Sequence, residues 1–275
     1  MNLQTKACYK KEWLAFLRTK RFFILIIIFI GWATLEPLMV RGLGVALETL
    51  APVYEEMGMD VTQMTEMIAM SASTGVILAI NSINTVGLIS FLLLINSFAG
   101  GEQKKRSIMI PKTSGLKNTA YLMPKYIIYP LSALILAVVA AFVAWGVSAL
   151  VFDINDVSVQ GIFFGGILAG VSLMFYVCIH ITIGTATGRP GMSAVICIVA
   201  SIIVPGLFAI LGAELIYNPF GLSLNAATAA ISGSLMVQDA VAVIIAVVMM
   251  AILYLVALFA LNTKKVDNSG NEIMI

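Results

Sequence analysis

Six uninterrupted apolar stretches, at about 22–40, 75–98, 126–152, 159–186, 191–213 and 239–261, constrain this chain more than any motif in it. A hydrocarbon core of ~30 Å is crossed by roughly 20 helical residues, and each stretch has about that length or more. Residues 1–275 therefore read as a single transmembrane domain, an all-α integral membrane protein with six transmembrane helices. Composition agrees: 60% of the residues are hydrophobic and 11% charged, with a mean hydropathy of +1.02, too little polar surface to solvate a soluble domain. The first run follows Lys20 and Arg21 as a signal peptide would. No small-residue cleavage site follows it, and Trp32, Glu36 and Pro37 close it, so a retained span is expected.

Charge fixes the expected direction of threading. Every lysine and arginine except Arg41 falls before span one, between spans two and three, between spans four and five, or after span six. The opposite side collects Glu36, Glu48, Glu55, Glu56, Asp60, Glu66, Asp153, Asp156, Glu214 and Asp239. Basic residues stay on the cytoplasmic side of short loops. Both termini are therefore expected in the cytoplasm, a segregation that an odd number of spans would spoil. Cys8, Cys178 and Cys197 have neither disulfide-framework nor metal-site spacing.

Between the spans, four segments carry their own expectations. Residues 1–21 read as a helix lying on the membrane, with Leu3, Ala7, Trp13, Leu14 and Leu17 on one side and Gln4, Lys11, Glu12 and Arg18 opposite. Residues 41–73 form a long outer connection whose "LGVALETLAPVYEEM" predicts a separate short helix. Residues 214–238 are too apolar for a solvated loop and too broken by Pro219, Gly221 and Gly233 for a span, which predicts a re-entrant or interfacial hairpin. The tail, 262–275, is too short to fold alone.

The chain lacks the groups that would power transport or catalysis. It has no G-x-x-x-x-G-K-[ST] phosphate cradle, no H-E-x-x-H or G-x-S-x-G motif, and essentially no ionisable residue at the middle of spans two to six. Neither an enzyme nor an ion-coupled carrier is expected. The polar residues inside the spans are neutral: Asn81, Asn84 and Asn96 on span two, and His180 with Thr182 on span four. They should face the bundle or a cavity, as interhelical hydrogen bonds or as a substrate-path lining. Gly161, Gly165, Gly166 and Gly170 give span four two small-xxx-small spacings, as do Gly184 and Gly188, and predict close helix packing. Pro205 is expected to kink span five.

One charged segment interrupts this apolar chain, "GGEQKKRSIMIPKTS" at 100–114. A basic loop explains the lysines but not Glu102 or the ordered run from Ser107 through an apolar patch to Pro111 and Ser114. A small amphipathic helix under the membrane, stopped by proline and followed by a new helix through Tyr121 and Lys125, fits better. Such a piece can dock in another protein's groove.

In these features the chain resembles the membrane-spanning permease subunits of type-2 ABC exporters. That family opens with an interfacial "KEW…LR…R" helix, matched by Lys11, Glu12, Trp13, Arg18 and Arg21. After its second span it carries G-E-x-x-x-[GR]-[ST], an apolar run and P-x-[ST], matched by Gly101, Glu102, Arg106, Ser107, Ile108 to Ile110, Pro111 and Ser114. The lysine-rich "QKKRS" and "KTSGLKN" depart from the mixed charges of many members.

The resemblance implies that 99–125 is a coupling segment docking on a separate ATP-binding subunit. Two such ATPases would serve a pair of permeases, this chain with a second copy or a paralogue, packed through spans one, two and five. ATP and magnesium would reside on the ATPase and no cofactor in this chain. Its partners would be those subunits and membrane lipid, not nucleic acid. The implied function is export of an amphipathic or hydrophobic substrate, a peptide, antibiotic or lipid-like molecule, across the plasma membrane of a bacterium, where separate half-size permeases are more usual. Two other readings stay open: an accessory or immunity membrane protein that binds a partner without pumping, and an ATP-independent carrier or channel.

Overall fold

A computed structural model of the chain describes residues 3–56, 71–102, 115–152, 157–210, 217–266 and 272–274. Six helices among them are long and apolar enough to cross a membrane, at the places where the apolar runs predict them. The two ends of the bundle are named here for their charge: the basic end carries the N-terminal helix Leu3–Arg18, and the acidic end lies opposite.

Span one departs most from expectation, because its helix runs unbroken from Arg21 to Glu56 with Pro37 and Pro52 inside it. The expected stop at Pro37 and the separate outer helix are both replaced by one rod of roughly 54 Å. A proline within a helix loses one hydrogen bond, whereas ending the helix at membrane depth would strand several backbone groups where no water reaches them. The rod exceeds a ~30 Å hydrocarbon core by roughly 16 residues. Along that extension Leu43, Val45, Leu50 and Val53 are exposed.

Span two, Ala72–Gly101, starts at a Ser71 cap whose Oγ accepts from the Thr74 N–H at 3.3 Å. A π-helical turn at Ile83–Gly87 and a kink within Ser97–Gly101 interrupt it. The π turn inserts a residue and rotates the next stretch of helix about the axis, a distortion frequent where a helix has a task beyond packing. At the kink Gly100 has φ +149°, and a Cβ there would lie 2.2 Å from the carbonyl oxygen of Gly184. Only glycine permits both the conformation and the approach.

Span three, Asn118–Val151, begins well before its apolar run. Span four, Val159–Thr187, is the hub: 72% of its most apolar window is buried, against 17% for span five, Pro190–Ile210, and for span six, Val237–Asn262. Its glycines explain this. Gly166 and Gly170 let it approach Val138 and Leu134 of span three, while Gly161 and Gly165 receive Ala230 and Ala226. Of the last glycine pair, Gly184 packs, but Gly188 ends the helix in the left-handed region at φ +65°. Pro205 sits within a continuous helix.

The broken stretch before span six forms a 3₁₀ turn, Pro219–Gly221, and a short helix, Leu222–Ser232, which Gly233 terminates at φ +69°. Leu222, Ala226, Ala229 and Ala230 bury its inner face against span four. In the tail, Lys264–Val266 and Glu272–Met274 pair as two short antiparallel strands.

A buried charge cluster as candidate functional site

The N-terminal helix turns an unexpected side to the bundle. Its apolar arc faces away, with Leu3 86% and Trp13 43% exposed, whereas Phe16 and Glu12 are buried. Glu12, expected on the solvated side, is only 2% exposed. A carboxylate accepts that position only with a charged partner.

Lys125 supplies it. This residue lies in the second turn of span three, is 0% exposed, and places its Nζ 3.2 Å from Glu12 Oε1 and 3.0 Å from Glu102 Oε2. It also donates to the Phe98 carbonyl at 2.9 Å and sits 4.8 Å from the Tyr121 ring centroid. The Tyr129 hydroxyl, one helical turn further on, donates to Glu12 Oε2 at 2.6 Å. At the exposed edge Lys11 donates to Glu102 Oε1 at 2.6 Å. Two carboxylates and two ammonium groups thus balance, and three separate segments meet at one lysine.

Aromatic rings cover the cluster. Phe98 and Tyr129 stack at 5.1 Å, and Phe16 meets Tyr129 edge-on at 5.3 Å. Burial alone would raise the pKa of the Glu102 carboxyl, but the Lys125 and Lys11 charges outweigh it and hold it down at about 2. The carboxylate is therefore ionised at any physiological pH. Among the described residues no group of histidine, cysteine and acidic side chains is arranged to hold a metal.

Of the residues matched to the exporter pattern, Gly101 follows the kink at Gly100, Glu102 joins the cluster, and Lys11 and Glu12 reach it from the N-terminal helix. Trp13 packs on Phe22 with centroids 5.9 Å apart, and Arg18 is exposed at the end of its helix. Arg21 donates to the Leu94 carbonyl at 3.0 Å and to the Ser97 hydroxyl, with its guanidinium 4.7 Å from the Phe98 ring centroid. Arg106, Ser107, Ile108, Ile110, Pro111 and Ser114 lie outside the described residues.

The polar span residues do not converge. Asn81 is exposed, in line with Leu78, Thr85, Ile89 and Leu93, rather than facing the bundle. Asn84 donates to the Ile80 carbonyl of its own helix at 3.2 Å, and its buried Oδ1 has no partner. Asn96 lines a cavity at the basic end, also with an unpaired buried Oδ1. His180 and Thr182 make the expected interhelical bonds, His180 with its Nδ1 2.7 Å from the Ser193 hydroxyl of span five and Thr182 with the Tyr126 hydroxyl of span three. Since the Ser193 hydroxyl donates to the Pro190 carbonyl at 2.8 Å, it accepts from Nδ1–H.

Sequence reasoning missed Lys125 and Tyr129. The signal lay with their partners: Glu12 and Glu102 are acids on the side where nearly every other charge is basic. No family model matches the chain, and no curated protein or solved structure shows significant similarity to it.

Proposed function

We propose that this chain is the membrane-spanning permease subunit of an ATP-driven type-2 exporter, with ATP hydrolysis on a separate subunit. One observation carries the reading. Glu102, the first charged residue of the segment that resembles a coupling helix, is tied through the buried Lys125 to Glu12 of the N-terminal helix. Force applied to residues 103–114 by a partner would therefore reach the N-terminal helix and span three together. A loop serving only to place positive charge on one side of a membrane has no need of a buried acid–lysine–acid bridge.

The exposed faces support the reading of a second permease subunit. An Asn81 amide facing hydrocarbon would cost free energy, and a second copy or paralogue packed on spans one, two and five would cover it, with the pathway between the two. The basic end would face the cytoplasm of a bacterial cell, both termini inside. The lining, apolar with a few amides, suits an amphipathic or lipid-like cargo such as a peptide or antibiotic. Two ATPases, closing on ATP and magnesium, would switch the pair between inward and outward access.

The test is gentle purification of the tagged chain from its native membrane, with mass spectrometry of the proteins that accompany it. A Walker-motif ATPase should co-purify stoichiometrically and be lost when Glu102 and Pro111 are both changed to alanine. Recovery of the intact chain with no ATPase, or with an ATPase indifferent to both changes, would refute the reading.

A further inference from the structure

We propose that a cavity between the basic ends of spans one, two and five binds the headgroup of an anionic, hydroxyl-bearing phospholipid, with Arg21 on its phosphate. The cavity has a volume of about 340 Å³, and Arg21, Leu93, Asn96, Ser97, Gly101 and Pro190 contribute to its walls. That size lies within the ~300–1,000 Å³ of small-molecule sites.

Two unmet demands define the ligand. Arg21 is fixed by its Nη1 bonds to Leu94 and Ser97 and by the Phe98 ring. Among the described residues its Nε and Nη2 have no hydrogen-bond partner, and no carboxylate lies within ion-pair distance. A guanidinium held in place with a free donor edge matches the oxygens of a phosphate. Asn96 makes the opposite demand, since its buried Oδ1 lacks a donor. Phosphate and hydroxyl on one small headgroup satisfy both, as in phosphatidylglycerol.

Surroundings favour a lipid over a soluble phosphate. Arg21 is the first residue of span one, at the level where a headgroup meets the hydrocarbon. From the cavity toward the bilayer centre, span two exposes Leu93 (57%) and Ile89, and span five exposes Met192 and Val195, apolar surface that acyl chains would cover. The exposed Lys20 and Arg189, adjacent in sequence to Arg21 and Pro190, add positive charge, as does the N-terminus of the span-five helix at Pro190. This field disfavours an ammonium headgroup. The inference does not rest on the exporter reading, because a carrier or an accessory protein with this cavity would bind the same lipid.

Binding of dioctanoyl phosphatidylglycerol, dioctanoyl phosphatidylcholine and inorganic phosphate to the delipidated full chain in detergent, followed by native mass spectrometry, tests it. The glycerol lipid should bind about ten-fold tighter than the choline lipid. Arg21→Gln should weaken binding of the glycerol lipid about ten-fold and Arg18→Gln should leave it intact. Arg21→Lys, which keeps the charge and guards against misfolding of the glutamine variant, should weaken binding without abolishing it, and Asn96→Leu should weaken it by about three-fold or more. Glycerol-lipid binding that survives both Arg21 variants undiminished, or that Arg18→Gln weakens equally, would overturn the site. Displacement of the lipid by inorganic phosphate at equal concentration would overturn its assignment to lipid.

Discussion

The glycine face of span four and the basic end of span three are both buried, yet opposite means hold them in place. Around Gly161 and Gly165 backbones touch, and shape alone decides the fit: a Cβ on Gly161 would lie 2.2 Å from the Ala230 carbonyl oxygen. Around Lys125 the contacts are ionic, and charge balance decides. A packing joint tolerates no added volume, since interiors are packed as densely as crystals. A charge joint tolerates any change that keeps the sum of charges, and it can be rearranged without rebuilding the core. The difference suits a scaffold at one end and a transmitting joint at the other.

The largest effect should come from Lys125→Met, which leaves the half-exposed Lys11 as the one ammonium beside Glu12 and Glu102 and should cost about 3–5 kcal/mol, read as lost thermal stability of the purified chain in detergent. Adding Glu12→Gln and Glu102→Gln should restore most of it. Gly161→Ala should cost about 2 kcal/mol, and no change to the Ala230 side chain should rescue it, because the clash is with backbone. Rescue by Ala230→Gly would erase the contrast between the two joints.

A pH titration sharpens the comparison further. Glu102 is held at about 2, against an ordinary value of 4.5. Its contribution to stability is thus fully present above the ordinary value and lost as pH falls through the folded value. The melting temperature should hold steady down to about pH 4.5 and then decline, and Glu102→Gln should flatten part of that decline, whereas Gly161→Ala should lower the whole curve without changing its shape. The smallest effect belongs to Asn81→Leu on the exposed stripe of span two, within about 0.5 kcal/mol for the isolated chain. A larger loss there, dependent on protein concentration, would mean that the stripe is already covered by a second copy.

The spans were legible because hydropathy is a local property, and a run such as 159–186 declares its helix without reference to anything distant. The glycines of span four were legible for the same reason, since their spacing places them on its faces, although which helix each face meets was not. Pro37 misled because its rule describes helices in water, where ending a helix costs little. The charge cluster was half legible. Glu102 stood out in its motif, but Lys125 reads like every other lysine of the basic side until the fold brings position 12 beside it. Pairings over such separations leave no periodicity to read.

The central claim is the joint at Lys125, and a double-mutant cycle between Glu102→Gln and Lys125→Met measures it most directly. Unfolding free energies of the four full-length proteins in one detergent should give a coupling of about 1.5 kcal/mol or more between the two positions. Additivity within about 0.5 kcal/mol would mean that Glu102 and Lys125 do not act on each other, and that the segment beginning at Glu102 is not joined to the N-terminal helix through span three.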